Sequence, residues 1–236
     1  MGLDIYVGSL TRYYCGDWET VIAQAAREQG IGFKLIRSNP EPPDKLTDPV
    51  AIGQAVEGWR SSLEAGLRQH LTDGLAWDES ADADYFTDKP DWFGYSGVVL
   101  LAAHTVCPEH PPPERATAHF DKDRAFETLA NQDFRCPFSQ IFEVEVWLPC
   151  LFSFTFRAPD VSGKEVGFGS SITLLEQLRR LNNESYRADA ETLARWEYDG
   201  AGSQDSFEQT ARFGLAMFLH YAQLATGHRL PMKLDY

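Results

Sequence analysis

One stretch of the chain, residues 73–95, combines acidic and aromatic side chains at high density. It holds seven acids, one base and six aromatics. The carboxylates of Asp78, Asp82 and Asp84 are hard oxygen ligands of the kind that Ca²⁺ and Mg²⁺ take. Their spacing departs from an EF-hand loop, because an aromatic residue stands at the third ligand position and the following glycine is missing. We therefore prefer two other interpretations of this stretch to a metal site. One is a solvated loop whose aromatics pack into the core, and the other is a docking surface.

A second acidic stretch, residues 184–208, also carries aromatic side chains. The two stretches have net charges of −6 and −5, so together they hold −11 of the formal −14 of the chain. Acids steer a basic partner toward a surface, and aromatic side chains anchor it there. The sequence leaves open whether the two stretches meet. The residues that we predict to bind a partner are Asp78, Glu79, Asp82, Asp84, Tyr85, Asp88, Trp92, Glu197 and Tyr198.

Zinc-competent side chains recur at intervals of three in His104, Cys107 and His110. This spacing fits one face of a helix only as far as Pro108, after which the geometry is not fixed. A buried His and Cys at a helix end, with one surface His, is the favoured alternative. We therefore predict no metal ligands and no cofactor.

Two weaker patterns belong to a predicted β-region and the turn that follows it. Glu143, Glu145 and Trp147 alternate on one face, with neighbouring Cα atoms roughly 6.5–7 Å apart. Paired carboxylates at such a distance can serve as acid and base. Residues 167–171 read Gly-Phe-Gly-Ser-Ser and could hold an anion, although Ile172 breaks the dinucleotide fingerprint. A solvent-facing strand and an N-capped turn are the structural alternatives.

The charge distribution argues against several classes of partner. Nucleic acids and anionic membranes attract clustered Lys and Arg, and the sequence has no such stripe. No apolar run reaches the length of a membrane span, and the first residues lack the pattern of a signal peptide. The four cysteines are irregularly spaced, which is typical of free thiols in a reducing compartment. We expect a cytoplasmic protein without nucleic-acid or membrane partners.

Apolar periodicity and helix signals define the elements of the first half. The sequence predicts a strand over Leu3–Val7, a helix from Asp17 to Gln29 and a strand over Phe33–Ile36, with a Pro-rich loop over residues 38–47. Asp48 is an N-cap and Pro49 the first residue of a helix that runs to about Leu71. An apolar run over residues 96–106 favours a buried helix, with a strand as the alternative.

The second half has a clear β-signal followed by helices. Two alternating runs within residues 140–157 predict an antiparallel hairpin, with a third strand over Glu165–Phe168. Helices are predicted near residues 121–131, 172–181, 188–196 and 206–225, the last ended by Gly227. The sequence thus predicts one α+β domain over residues 1–236, with a short mixed or antiparallel sheet and five to seven helices.

Two functional hypotheses of different classes follow. The first is a non-catalytic acidic binding protein, of the bacterial immunity or inhibitor type, that caps a basic protein partner. It combines the concentrated negative charge with the adjacent aromatics. The alternative is a small-molecule enzyme, a hydrolase that uses carboxylates or a metal. A structural subunit whose exposed surfaces are oligomer contacts is a third interpretation.

Overall fold

The sheet is built from strands of three to six residues in a mixed arrangement. A computed structural model describes residues 2–32, 48–71, 74–80, 83–115, 117, 119–202 and 204–236. Its strands are β1 (Asp4–Val7), β2 (Phe86–Asp88), β3 (Val146–Leu148), β4 (Phe156–Pro159), β5 (Glu165–Ser170) and β6 (Met232–Asp235). Their order in the sheet is β2-β1-β6-β3-β5-β4. Strands β3 and β5 run parallel, and the other neighbours are antiparallel.

Eight α-helices accompany the sheet within the described ranges. They are α1 (Leu10–Cys15), α2 (Val21–Glu28), α3 (Pro49–Leu67), α4 (Asp91–Val106), α5 (Arg124–Ala130), α6 (Ser171–Ser185), α7 (Ala190–Asp199) and α8 (Phe207–His228). The predicted α+β class and the single compact arrangement are confirmed. The number of helices exceeds the predicted five to seven, because the structure adds α1 near the start of the chain.

Alternation along the strands divides the apolar residues into two cores. On β1, Ile5 and Val7 face a larger core that contains α4, α6 and α8. On β3 and β5, Val146 and Phe168 face a smaller core beneath α3. The sheet therefore has helices against both faces.

Local signals predicted the start of α3 and the end of α4 correctly, whereas α4 begins at Asp91, five residues before the predicted run. The side chain of Asp48 accepts a hydrogen bond from the backbone N–H of Val50 at 3.2 Å, and Pro49 is the first helical residue. The helix ends at Leu67, about one turn earlier than predicted. Helix α4 is buried on all sides over residues 94–103, as its continuous apolar run indicates.

The predicted hairpin over residues 140–157 is wrong in its pairing. Strand β5 lies between β3 and β4 and is hydrogen-bonded to both. The segment between β3 and β4 is irregular, and its backbone carbonyls accept hydrogen bonds from side chains. Thr173 donates to the carbonyl of Phe152 at 2.6 Å, and Gln140 donates to that of Phe154 at 3.0 Å. These tertiary donors replace the strand partner that the alternation implied.

Three further predictions need correction at element ends. The helix predicted over residues 17–29 is shorter: α2 begins at Val21, because the side chain of Thr20 caps its start by accepting a hydrogen bond from the N–H of Ala23. Gly227 lies inside α8, which ends at His228 and is followed by the C-cap residue Arg229 in the left-handed conformation (φ 55°). Strands β2 and β6 were not predicted. The predicted strand over residues 33–36 and the Pro-rich loop lie outside the described residues.

Candidate partner-binding face

The acid–aromatic stretch divides between the two sides of the sheet. Residues 74–80 run beside α1 and α3, where Trp77 is buried in the smaller core. Residues 83–95 form β2 and the start of α4, where Tyr95 is buried in the larger core. The stretch is therefore not one projecting loop, and only its second part can join the later acidic stretch.

Glu79 and Asp78 lie on the α1 side. The carboxylate of Glu79 accepts hydrogen bonds from the backbone N–H groups of Leu10 and Thr11 at 3.0 and 2.7 Å, and also from the indole of Trp77. Glu79 thus satisfies N–H groups at the start of α1. Asp78 is exposed, and hydrogen bonds from Ser80 lower the pKa of its carboxyl.

Two predicted aromatic residues are packed within the protein. Tyr85 is half-buried, and the guanidinium of Arg12 lies 5.0 Å from the centre of its ring. Trp92 is half-buried at the start of α4, and its ring lies 5.2 Å from that of Tyr236. Asp82 lies outside the described residues.

The two acidic stretches meet at α8. Nδ1 of His220 lies 2.7 Å from Oε1 of Glu197, which belongs to α7. Burial raises the pKa of the hydroxyl of the next residue, Tyr221, and the charge of nearby Asp88, at the end of β2, raises it further. Asp88 and Glu197 therefore converge on adjacent residues of one helix.

Asp84 extends this arrangement along α8. Tyr221 and His228 are seven residues apart, nearly two turns, so they lie on the same side of the helix. Nδ1 of His228 lies 3.6 Å from Oδ2 of Asp84, whose side chain is 69% exposed. We call Asp84, Asp88 and Glu197 the acidic face.

The carboxylates of the acidic face perturb the groups between them. The hydrogen bond with Glu197 raises the pKa of His220, burial opposes that rise, and the charges of Glu197 and Asp88 add to it. Burial raises the pKa of Asp88, whereas the backbone hydrogen bond from Lys89 lowers it. When it is protonated, the imidazole is thus a countercharge within the acidic face.

An apolar groove lies beside Glu197 and His220, and an exposed aromatic residue follows Glu197 on α7. The groove between α7 and α8 has a volume of about 210 Å³ and is lined by Leu193 and Leu219 together with Glu197 and His220. Tyr198 is 91% exposed. The face therefore offers both steering charge and apolar contact area.

The zinc-competent residues are used in other contacts. Nδ1 of His104 lies 3.0 Å from the carbonyl of His110, and Nε2 lies 3.2 Å from Asp123. Burial raises the pKa of the Cys107 thiol, which disfavours the thiolate that zinc requires. In the described part of the chain, no three His, Cys, Asp or Glu side chains are grouped so as to hold a metal ion.

Glu143 and Glu145 do not form one exposed surface with Trp147. Trp147 is fully buried, and its indole donates a hydrogen bond to the carbonyl of Gln140 at 2.9 Å. Glu143 and Glu145 instead line a cavity together with Trp92, which the sequence placed in a different site. Nothing in the spacing of these residues indicates that they meet.

The glycine-rich segment is part of the sheet and not an anion loop. Gly167 and Gly169 belong to β5, where a Cβ on Gly167 would collide with the carbonyl oxygen of Glu143. Ser170 caps α6 by accepting from the N–H of Thr173 at 3.2 Å. The glycines therefore permit close backbone packing. The structural alternative that we predicted for this segment, an N-capped turn, is the one that Ser170 forms.

A buried polar cluster beneath the sheet was not found from the sequence. Nζ of Lys233 on β6 lies 3.9 Å from Oδ2 of Asp160 and 5.2 Å from the ring centre of Tyr13. Tyr14 donates to the same carboxylate at 2.8 Å. Burial lowers the pKa of Lys233, and the negative charge of Asp160 opposes this. These contacts connect α1 with β6 and with the turn after β4. In the sequence, the adjacent Tyr13 and Tyr14 are the only signal that could have indicated them.

Comparison with protein-family models, with curated proteins and with solved structures gives no match. None of the described helices combines the length and the apolar character needed to cross a membrane.

Proposed function

We propose that the protein is a non-catalytic binding protein whose acidic face captures a basic protein. The observation that carries this proposal is the convergence of Asp88 and Glu197 on His220 and Tyr221. It joins negative charge from two distant parts of the sequence into one surface. Such a surface accelerates the encounter with a positively charged partner.

The acidic face also supports the anchoring part of the interaction. Tyr198 is 91% exposed and directly follows Glu197 on α7. Burial of a Tyr ring in an interface commonly contributes a large share of the binding energy. The partner's basic side chains would pair with Asp84 and Glu197, while an apolar side chain would occupy the groove between α7 and α8.

The immunity or inhibitor type remains our proposal for the class of binding protein. A protein that covers the basic surface of its partner needs charge complementarity and rigid anchors, and it needs no catalytic group. We also propose a cytoplasmic location. The four cysteines, Cys15, Cys107, Cys136 and Cys150, are all free thiols, which suits a reducing compartment.

Affinity capture with matched variants tests the proposal. The double variant Asp84→Asn/Glu197→Gln removes two negative charges from the acidic face. The control variant Asp121→Asn/Glu127→Gln removes two charges from exposed positions near α5. We expect one basic protein of the native host to be retained at low salt by the wild type and the control, and to be lost with the first variant.

Kinetics with the purified partner separate steering from anchoring. The double variant Asp84→Asn/Glu197→Gln should have a lower association rate, because its long-range attraction to the basic partner is reduced. Tyr198→Ala should instead raise the dissociation rate, since the ring is exposed in the free protein and its loss costs no folding contact. Equal retention of the partner by both double variants would refute the role of the acidic face.

A second candidate function has one observation in its favour. Glu143 and Glu145 line a cavity of about 230 Å³, as a carboxylate-dependent hydrolase would require. A metal-dependent hydrolase would need a cluster of metal ligands, and the described part of the chain has none. A small molecule that copurifies with the protein, detected by native mass spectrometry, would favour this enzyme.

A further inference from the structure

The cavity that contains Glu143 and Glu145 has aromatic walls. Trp92 at the start of α4 and Tyr236 after β6 approach with ring centres 5.2 Å apart and an interplanar angle of 61°. The ring of Tyr95, which also lines the cavity, has its centre 6.2 Å from that of Trp92 at an interplanar angle of 66°. Rings set at steep angles around one space form the kind of cage that recognises a cation through its π-faces.

The charged groups of the cavity favour a positive ligand. Glu145 accepts a hydrogen bond from the hydroxyl of Tyr236 at 2.7 Å, which fixes its carboxylate beside the aromatic wall. Burial raises the pKa of Tyr95, and the charges of Glu145 and Glu143 raise it further. Both carboxylates therefore act on the interior of the cavity.

Arg157 is a positive side chain at the same cavity. Its Nε lies 3.2 Å from Oε1 of Glu165, and the side chain is 54% exposed. The carboxylate of Glu165 balances the guanidinium charge, so Glu143 and Glu145 still give the lining an excess of negative charge.

The ammonium group of Lys164 lies at the rim of this cavity. Nζ of Lys164 lies 3.1 Å from Oε2 of Glu145 and 5.0 Å from the ring centre of Tyr236. The Lys164 side chain is 58% exposed, so it approaches from the solvent side. One carboxylate and one aromatic face of the cavity thus already bind a primary ammonium.

We propose that this cavity binds an alkylammonium group and that Lys164 competes for its rim. The volume of about 230 Å³ lies below the roughly 300–1,000 Å³ of sites that enclose drug-sized ligands. It suits a cationic head group, either a quaternary ammonium of a small molecule or a primary ammonium. This site does not depend on the acidic face, and either proposal can fail alone.

Titration of the isotope-labelled protein with choline, followed by NMR of the tryptophan indoles, tests the site. We expect a saturable shift of the Trp92 indole, which Trp92→Phe identifies by its loss. Glu145→Gln should weaken binding roughly tenfold, in the range of a desolvated cation–π and carboxylate site. Because Glu145 also holds Tyr236, the exposed Glu143→Gln serves as a second variant and should weaken binding in the same direction.

Lys164→Met provides the discriminating result. Removal of the competing ammonium should strengthen choline binding severalfold, whereas a merely structural role of Lys164 would weaken it. Butylammonium in a parallel titration distinguishes a primary from a quaternary ligand. The proposal is overturned by the absence of a saturable shift, by weaker binding to Lys164→Met, or by equal binding of 3,3-dimethylbutanol, the uncharged analogue of choline.

Discussion

At the residue scale, His220 sets how negative the acidic face is. Its imidazole faces Glu197 of α7 and lies near Asp88 of β2, with Tyr221 beside it on α8. When the ring is protonated, it balances part of their charge. When it is neutral, both carboxylates act on the solvent and on any partner.

Replacement of His220 should change how stability depends on pH. Because the folded state raises the pKa of His220, folding favours the protonated ring. This contribution is complete below the unfolded value of about 6.5 and is lost as the pH rises through the higher folded pKa. Between pH 6 and pH 8.5, the wild type should lose more free energy of unfolding than His220→Gln, measured by urea denaturation.

The size of this difference is limited by solvent. The His220 side chain is 46% exposed, so we expect less than about 1 kcal/mol after screening. His119→Gln, at another exposed histidine, is the control and should keep the wild-type pH dependence. An identical pH dependence in His220→Gln and the wild type would show that the contact with Glu197 has no energetic effect.

At the element scale, α8 must lie close to α4 for the acidic face to form. Gly214 of α8 faces the backbone of Gly94, and Gly97 of α4 faces the backbone of Thr210. A Cβ at either glycine would collide with a carbonyl oxygen of the other helix. The crossing therefore depends on the absence of side chains at these positions.

Gly214→Ala should destabilise the protein by about 1–3 kcal/mol, since backbone atoms must move to accommodate the methyl group. Gly227→Ala is the matched control within the same helix. A Cβ there meets no atom within 4 Å, and Ala should stabilise the helix by up to about 1 kcal/mol. Thermal or urea denaturation of both variants measures the difference. A stability of Gly214→Ala equal to that of the control would contradict the close crossing.

The elements that were predicted correctly are those with local signals. Asp48 and Pro49 begin α3, Ser206 begins α8 with a reciprocal capping box, and the apolar run of α4 is continuous. Strand pairing has no such signal, because hydrogen bonds from Gln140 and Thr173 decide it from a distance. The predicted hairpin failed for this reason.

The candidate site was predictable in composition but not in geometry. The sequence identified Asp84, Asp88 and Glu197 as acidic residues beside aromatics. It could not show that the carboxylate of Glu79 is hydrogen-bonded to the backbone at the start of α1, or that α8 brings Asp88 and Glu197 together. Both facts depend on contacts between residues that are far apart in the sequence.

At the scale of the whole molecule, the acidic face is a product of the tertiary fold. Strand β2 lies at one edge of the sheet, α8 passes beside it, and α7 contributes Glu197 from the other side. Neither acidic stretch forms the face alone. The function that we propose therefore requires the folded arrangement of these three elements.

The association rate constant with the purified basic partner, measured at increasing salt, tests this claim most directly. From about 10 mM to about 150 mM salt, the screening length falls from about 30 Å to about 8 Å. The rate of the wild type and of Asp121→Asn/Glu127→Gln should fall steeply over this range, and that of Asp84→Asn/Glu197→Gln should fall much less. Equal salt dependence of all three proteins would contradict the proposal that the acidic face steers the partner.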